Sequence, residues 1–411
     1  FLLPLLPLLS LNAEEWTRFR GPEGIGVTQQ KDVPSKWDAS SLVWEIDLPG
    51  YGQSSPVHWD GKLFLTAATN QGKTRHTLCI DKATGKILWE KTIPCNDPED
   101  VHKMNSHATP SCVTDGERII SFFGPAGLYC YDLNGKNLWS RTDLGDFPGA
   151  WGIAGSPIIL GDTVIQNCDS AGPSYLLAAD KKTGKTLWEH NRPSDANKES
   201  LESFGTIIPH KGQLLVAGGD VLTGHDPATG KELWRWGTWN PGHKEQWWRL
   251  VPSPAPGGGV VLACAPKNAP VYAAKLGLAG SHSGKDGLAW ESSSHRQVTS
   301  DVPTPLYHQG KFYVLSDLKK AMSRIDPQTG EVEWTTAMPG KYKWRASPTA
   351  SSGIIYTMNH NGEVIVMSAK DGSILHTAKM GKTYDDNTRA SVAISDGQLF
   401  VRTHEKMYCI E

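Results

Sequence analysis

One nine-residue phrase recurs along this chain and limits what the chain can become. Asp81-Lys-Ala-Thr-Gly-Lys-Ile-Leu-Trp89 returns as Asp180-Lys-Lys-Thr-Gly-Lys-Thr-Leu-Trp188, as Asp226-Pro-Ala-Thr-Gly-Lys-Glu-Leu-Trp234 and as Asp326-Pro-Gln-Thr-Gly-Glu-Val-Glu-Trp334. The stretch from Asp132 to Trp139 is the same unit with one turn residue removed, and 284–290 and 370–376 are degenerate copies. Trp44 is the final half of a copy whose turn is absent. The aromatic anchors fall at 44, 89, 139, 188, 234, 290, 334 and 376, at intervals of 45, 50, 49, 46, 56, 44 and 42 residues. A fixed period of this length means one supersecondary unit stacked many times.

The unit itself is a hairpin. Asp accepts hydrogen bonds from turn amides, Gly supplies the positive φ, and the Trp of the next strand has the area to fill the gap between two sheets. A second hairpin precedes each copy, as in Ser55-Pro-Val-His-Trp-Asp-Gly-Lys-Leu-Phe-Leu and Thr304-Pro-Leu-Tyr-His-Gln-Gly-Lys-Phe-Tyr-Val. Four strands in such an interval make one propeller blade. The last residues, 389–411, supply three strands and stop where a Trp strand is due. Residues 42–48 supply an orphan Trp strand with no upstream partner. Pairing the two removes both open sheet edges. The expectation is an all-β, eight-bladed propeller over 41–411, its last blade closed by the N-terminal strand. An N-terminal extension over 14–40 precedes it.

Residues 1–11 are mostly leucine, uncharged and too short to span a bilayer, so 1–13 reads as an export signal remnant and the protein as periplasmic or secreted. No other segment is long and apolar enough to cross a membrane. With 41 Lys and Arg against 43 Asp and Glu, general electrostatics offers nothing to a nucleic acid. The expected partners are envelope proteins or a small polar or anionic ligand, with the ring a monomer. Seven cysteines without a Cys-x-x-Cys, three of them at one point of three repeats (Cys79, Cys130, Cys409), read as small buried apolar residues.

The copies quoted, above all Leu-Ala-Ala-Asp-Lys-Lys-Thr-Gly-Lys-Thr-Leu-Trp over 177–188, resemble PQQ-type (pyrroloquinoline-quinone) propeller repeats from about Ser40 onward. That family includes quinoprotein alcohol and glucose dehydrogenases, the outer-membrane assembly lipoprotein BamB and secreted bacterial propellers of unassigned role. The phrase Trp16-Thr-Arg-Phe-Arg-Gly-Pro-Glu-Gly-Ile-Gly resembles the last group, and reads as a short tail packed against the ring with Arg18 and Arg20 structural.

A propeller carries its ligand where loops enter the innermost strands, which open near a recurring Ser/Thr-Pro: Ser55-Pro56, Thr109-Pro110, Ser156-Pro157, Ser253-Pro254, Thr304-Pro305 and Ser347-Pro348. Just upstream lie Gln53, His107, Trp151, Arg249, Asp301 and Arg345. Glu202 and Arg389 take that place in the two blades without the dipeptide. These eight are the candidate channel-mouth residues. Guanidinium groups suit carboxylates and Trp stacks on flat ligands, so PQQ with calcium is a possible cofactor. Against it, the vicinal Cys-Cys of the alcohol dehydrogenases is absent, and their calcium-ligand contexts have no residue-by-residue match; Glu202 and Asp301 are isolated candidates. No catalytic residue or metal site is therefore assigned. A separate cluster, Trp239, Trp247 and Trp248 in the long connection after Trp234, has the composition of an aromatic platform for a sugar. The leading expectation is a non-catalytic binding or scaffold propeller of the cell envelope. The alternatives are a PQQ-dependent alcohol or sugar dehydrogenase and a carbohydrate-binding propeller.

Overall fold

Across the repeats, the second and third strands are buried almost throughout while the outermost strand alternates. Leu63 to Ala68 and Arg75 to Ile80 are buried throughout, whereas Ile87–Pro94 switches between half-buried and exposed. A strand covered by a neighbouring sheet on both faces has no solvent side to make polar, and an outer strand does. The computed structural model, which describes residues 15–237, 239–381 and 388–411, stacks the repeats face to face as a ring of eight blades. The segment read as an export signal lies outside the described residues.

Blades are numbered by their innermost strands: Val57–Trp59, Val113–Thr114, Ile158–Leu160, Ile208–His210, Ala255–Gly257, Leu306–His308, Thr349–Ser351 and Ala393–Ser395. Each is an antiparallel meander from the axis outward. Blade 8 closes as expected, Leu42–Asp47 pairing antiparallel with Lys406–Ile410. Two blades gain a parallel fifth strand. Gly280–His282 covers the outer edge of blade 4, and Val27–Thr28 pairs with the innermost strand of blade 7.

The recurring phrase joins neighbouring blades. The indole of Trp44 donates to the Lys82 carbonyl (2.7 Å), Trp89 to Leu133 (3.0 Å), Trp139 to Lys181 (2.9 Å), Trp188 to Pro227 (3.2 Å), Trp290 to Pro327 (2.8 Å) and Trp334 to Lys370 (3.2 Å). The first five carbonyls belong to the Asp-to-Gly turn of the following blade, and Lys370 to the equivalent turn from Ser368 to Gly372. The ring also lies on that turn's glycine, so a Cβ on Gly330 would sit 2.7 Å from Trp290. Glycine is thus required twice, for φ (+75°) and for the seat of the ring.

Two repeats depart from this. Trp234, the expected anchor of blade 4, turns inward, packs on Gly224 and donates to Gln213 Oε1 (2.8 Å). Trp236 docks instead, onto the Gly284 carbonyl of blade 5 (3.1 Å). Between blades 7 and 8, His376 replaces the indole and accepts from the Trp37 amide (3.3 Å).

Candidate functional site

The entry to each innermost strand carries a hydroxyl two residues before the strand: Ser55, Ser111, Ser156, Thr206, Ser253, Thr304, Ser347 and Ser391. These side chains link the blades around the axis. The Ser55 amide donates to Ser111 Oγ (2.8 Å), Ser111 to Ser156 (3.0 Å), Ser156 to Thr206 (3.1 Å), Thr206 to Ser253 (2.9 Å), Ser253 to Thr304 (2.9 Å), Thr304 to Ser347 (3.0 Å) and Ser391 to Ser55 (2.9 Å). The pattern satisfies buried amides that no strand partner reaches. It also corrects the register of blade 2, where Ser111, not Thr109, is the equivalent of Ser55.

Two residues upstream of this ring, a second ring lines a central cavity with about 840 Å3 of empty space, part of it open to solvent. Its composition is split. Ala154, Phe204, Val251 and Val302, from blades 3 to 6, form an apolar wall. Arg345, Arg389, Gln53 and Thr109, from blades 7, 8, 1 and 2, form a polar one. Met104, Asn105, Trp151 and Arg249 line it further up, and Phe19 of the N-terminal tail lines it below the ring.

Of the eight expected mouth residues, Gln53, Trp151, Arg249, Arg345 and Arg389 line the cavity. Asp301 stands behind them. It receives both terminal nitrogens of Arg249 (3.3 and 3.1 Å) and the Lys267 amide (2.7 Å), and Arg345 lies 3.6 Å away. Burial alone would raise its carboxyl, but the Arg249 and Arg345 guanidiniums hold it below the ordinary range. Asp317, missed in the sequence, takes Arg345 Nε (2.7 Å), and its own burial pushes it up. Arg249 also covers the Trp151 ring at 4.6 Å. Glu202 is buried beside the Gly149 and Ala150 backbone without lining the cavity, and burial raises it to about 7. His107 is turned away between the Tyr51 hydroxyl (3.1 Å) and the Glu99 carbonyl (3.2 Å). His360, not singled out in the sequence, is held down to about 2 by burial and by Arg389, Arg345 and Lys343.

The three tryptophans of the long loop do not form one exposed face. Trp239 is buried against Trp236, Trp248 is half-buried, and Trp247, 56% exposed, lies under Lys198 (5.2 Å). The loop's apolar side is spent on its own anchorage, so the platform reading is corrected.

For PQQ, the test is whether donors face an anion inside a flat apolar slot. Among the described residues, Gln53 Nε2 is buried without a partner and Arg345 Nη1 has only the Met104 thioether (3.3 Å), a weak acceptor that a carboxylate outcompetes. With the apolar wall opposite, the cavity suits a flat anionic molecule. Calcium fits poorly. It takes six to eight oxygens, and Asp301 and Asp317 are committed to guanidiniums. No group of three or more His, Cys, Asp or Glu with metal-binding geometry occurs among the described residues. The seven cysteines are buried thiols, and no helix of the described residues is long and apolar enough to cross a membrane.

The chain is 23% identical over 347 residues to the quinoprotein ethanol dehydrogenase of Pseudomonas putida, covering 79% of this chain and 45% of that protein. The solved quinohemoprotein alcohol dehydrogenase from Comamonas testosteroni superposes with a TM-score of 0.71 at 14% identity, covering 96% of this chain and 80% of the other. BamB from Moraxella catarrhalis gives 0.62 at 13%, covering 90% and 96%. The chain spans about half the length of the curated relatives it matches. Those relatives include several quinone-dependent alcohol dehydrogenases, which overturns the expectation of a non-catalytic scaffold. The family model for outer membrane protein assembly factor BamB matches residues 73–282 and 279–410, and the chain belongs to that family of PQQ-type repeat propellers.

Proposed function

We propose that the chain is a PQQ-dependent dehydrogenase acting on an alcohol or sugar in the cell envelope, with the cofactor held in the central cavity. The observation that carries this is the split wall, four apolar positions facing Arg345, Arg389, Gln53 and Thr109 across one slot. The names of the quinone-dependent relatives support the chemistry, and the family's outer-membrane description supports the compartment.

In this reading Arg345, Arg389 and Gln53 would hold the cofactor's carboxylates. Ala154, Phe204, Val251 and Val302 exclude water from its opposite edge. When bound, PQQ would supply the two-electron, two-proton oxidant that takes an alcohol to its carbonyl. Asp301 and Asp317 hold Arg249 and Arg345 in place and act as positioning residues.

Absorbance titration of the protein with PQQ, with and without added calcium, tests the reading, followed by dye reduction with primary alcohols and sugars. One-to-one binding and turnover are expected. Failure to bind at tens of micromolar under both conditions overturns it.

A further inference from the structure

Among the described residues, no blade supplies a side chain to the floor of the central cavity. The side chain below the hydroxyl ring is Phe19, and it arrives on the N-terminal tail. That tail crosses the axis and is fastened at several blades. The His58 amide of blade 1 donates to the Trp16 carbonyl and the Thr114 amide of blade 2 to Thr17, both at 2.9 Å. Arg18 donates to the Ile207 carbonyl at the entry to blade 4 (3.0 Å), and Arg20 to Pro305 and Pro348 at blades 6 and 7 (3.0 and 3.2 Å). The Ala350 amide completes the track by donating to Gly26 (2.7 Å).

The three acceptors gripped by arginine each follow a residue of the hydroxyl ring: Thr206, Thr304 and Ser347. The tail therefore lies directly under that ring, with Phe19 between two side chains anchored to the wall. Its own conformation is fixed by close packing. A Cβ on Gly21 would stand 2.6 Å from the Trp16 ring, one on Gly24 2.7 Å from Arg18, and one on Gly26 2.8 Å from Arg20, all three at positive φ. Among the described residues, neither Arg18 nor Arg20 is in an ion pair, although both are buried. Two buried guanidiniums, held by backbone carbonyls, thus lie beside the floor of a cavity whose wall already carries arginines.

We propose that Phe19 closes the far end of the channel, makes the cavity a blind pocket with one entrance, and forms the surface on which its flat anionic ligand rests. The identity of the ligand rests on the PQQ reading; the closure does not. A site built this way is incomplete without the tail, and ligand enters and leaves past Trp151 and Met104.

The test compares wild type with Phe19→Ala and Phe19→Tyr in two measurements. Titration with PQQ is expected to give roughly tenfold weaker binding for Phe19→Ala, and recovery for Phe19→Tyr, which restores the ring. Independently, Val302→Cys places a thiol in the cavity wall while the native cysteines stay buried. A maleimide should label it several-fold faster when Phe19→Ala is added, because a second route opens. Wild type that fails to bind PQQ, together with faster labelling, removes the dehydrogenase reading and upholds the closure. Equal labelling rates overturn the closure whatever PQQ does. Equal PQQ affinity in wild type and Phe19→Ala overturns the floor as a ligand surface.

Discussion

Asp301 is 4% exposed and answers two guanidiniums. Asp301→Asn leaves Arg249 and Arg345 short of charge in a place water barely reaches, so a loss of about 3–5 kcal/mol is expected in denaturant unfolding. Glu202 makes a prediction in pH. Its folded value of about 7 exceeds the ordinary ~4.3 of a free glutamate, so the native state favours the protonated form. That stability is fully present below about pH 4.3 and is lost as pH rises through 7. Urea midpoints at pH 5 and pH 8 should therefore fall less for Glu202→Gln than for wild type. At this scale the sequence revealed the rim better than the wall. Searching upstream of each Ser/Thr-Pro for polar residues finds Arg249 and Asp301. The lining, though, sits at a constant two residues before the hydroxyl, and half of it is apolar. Ala154, Phe204, Val251 and Val302 carry no chemical signature; only their offset marks them. His107 misled because Pro110 is shifted by two in its repeat.

Within the blade, the repeated glycine has two roles that substitution separates. Gly310 and Gly330 both adopt positive φ in blade 6, but a Cβ on Gly310 meets nothing within 4 Å. Gly310→Ala should cost about 1 kcal/mol from backbone strain. Gly330→Ala should cost about 3 kcal/mol, since it also displaces Trp290 from its seat. Thermal unfolding of the pair isolates the docking contribution. The strands and their turns were legible because the alternation and the turn residues are local. The exchange of Trp234 for Trp236 was not, because it depends on Gly224 across the sheet and on the lengthened connection of the next blade, which carries Gly280–His282 and Gly284. Neither lies within the phrase that announces the anchor.

Across the whole molecule, ring closure rests on a strand from the other end of the chain. Removal of residues through Asp47 strips blade 8 of Leu42–Asp47, withdraws Trp44 from the turn of blade 1 and exposes the Lys406–Ile410 edge. The expected result is loss of a single cooperative transition and the onset of concentration-dependent association, read by calorimetry and light scattering. This closure was legible because incomplete repeats at the two ends are complementary. The path of the tail was not, since its contacts are with backbone carbonyls, which every residue has.

The tail's anchorage also bears on how the ring is made. Residues 16–28 leave the ribosome early, yet the carbonyls that Arg20 grips lie 285 and 328 residues later in the chain. At roughly 5–20 residues per second, the segment waits on the order of tens of seconds before its last acceptors exist. The tail is thus seated only after the innermost strands of blades 6 and 7 exist, and until then the channel has no floor.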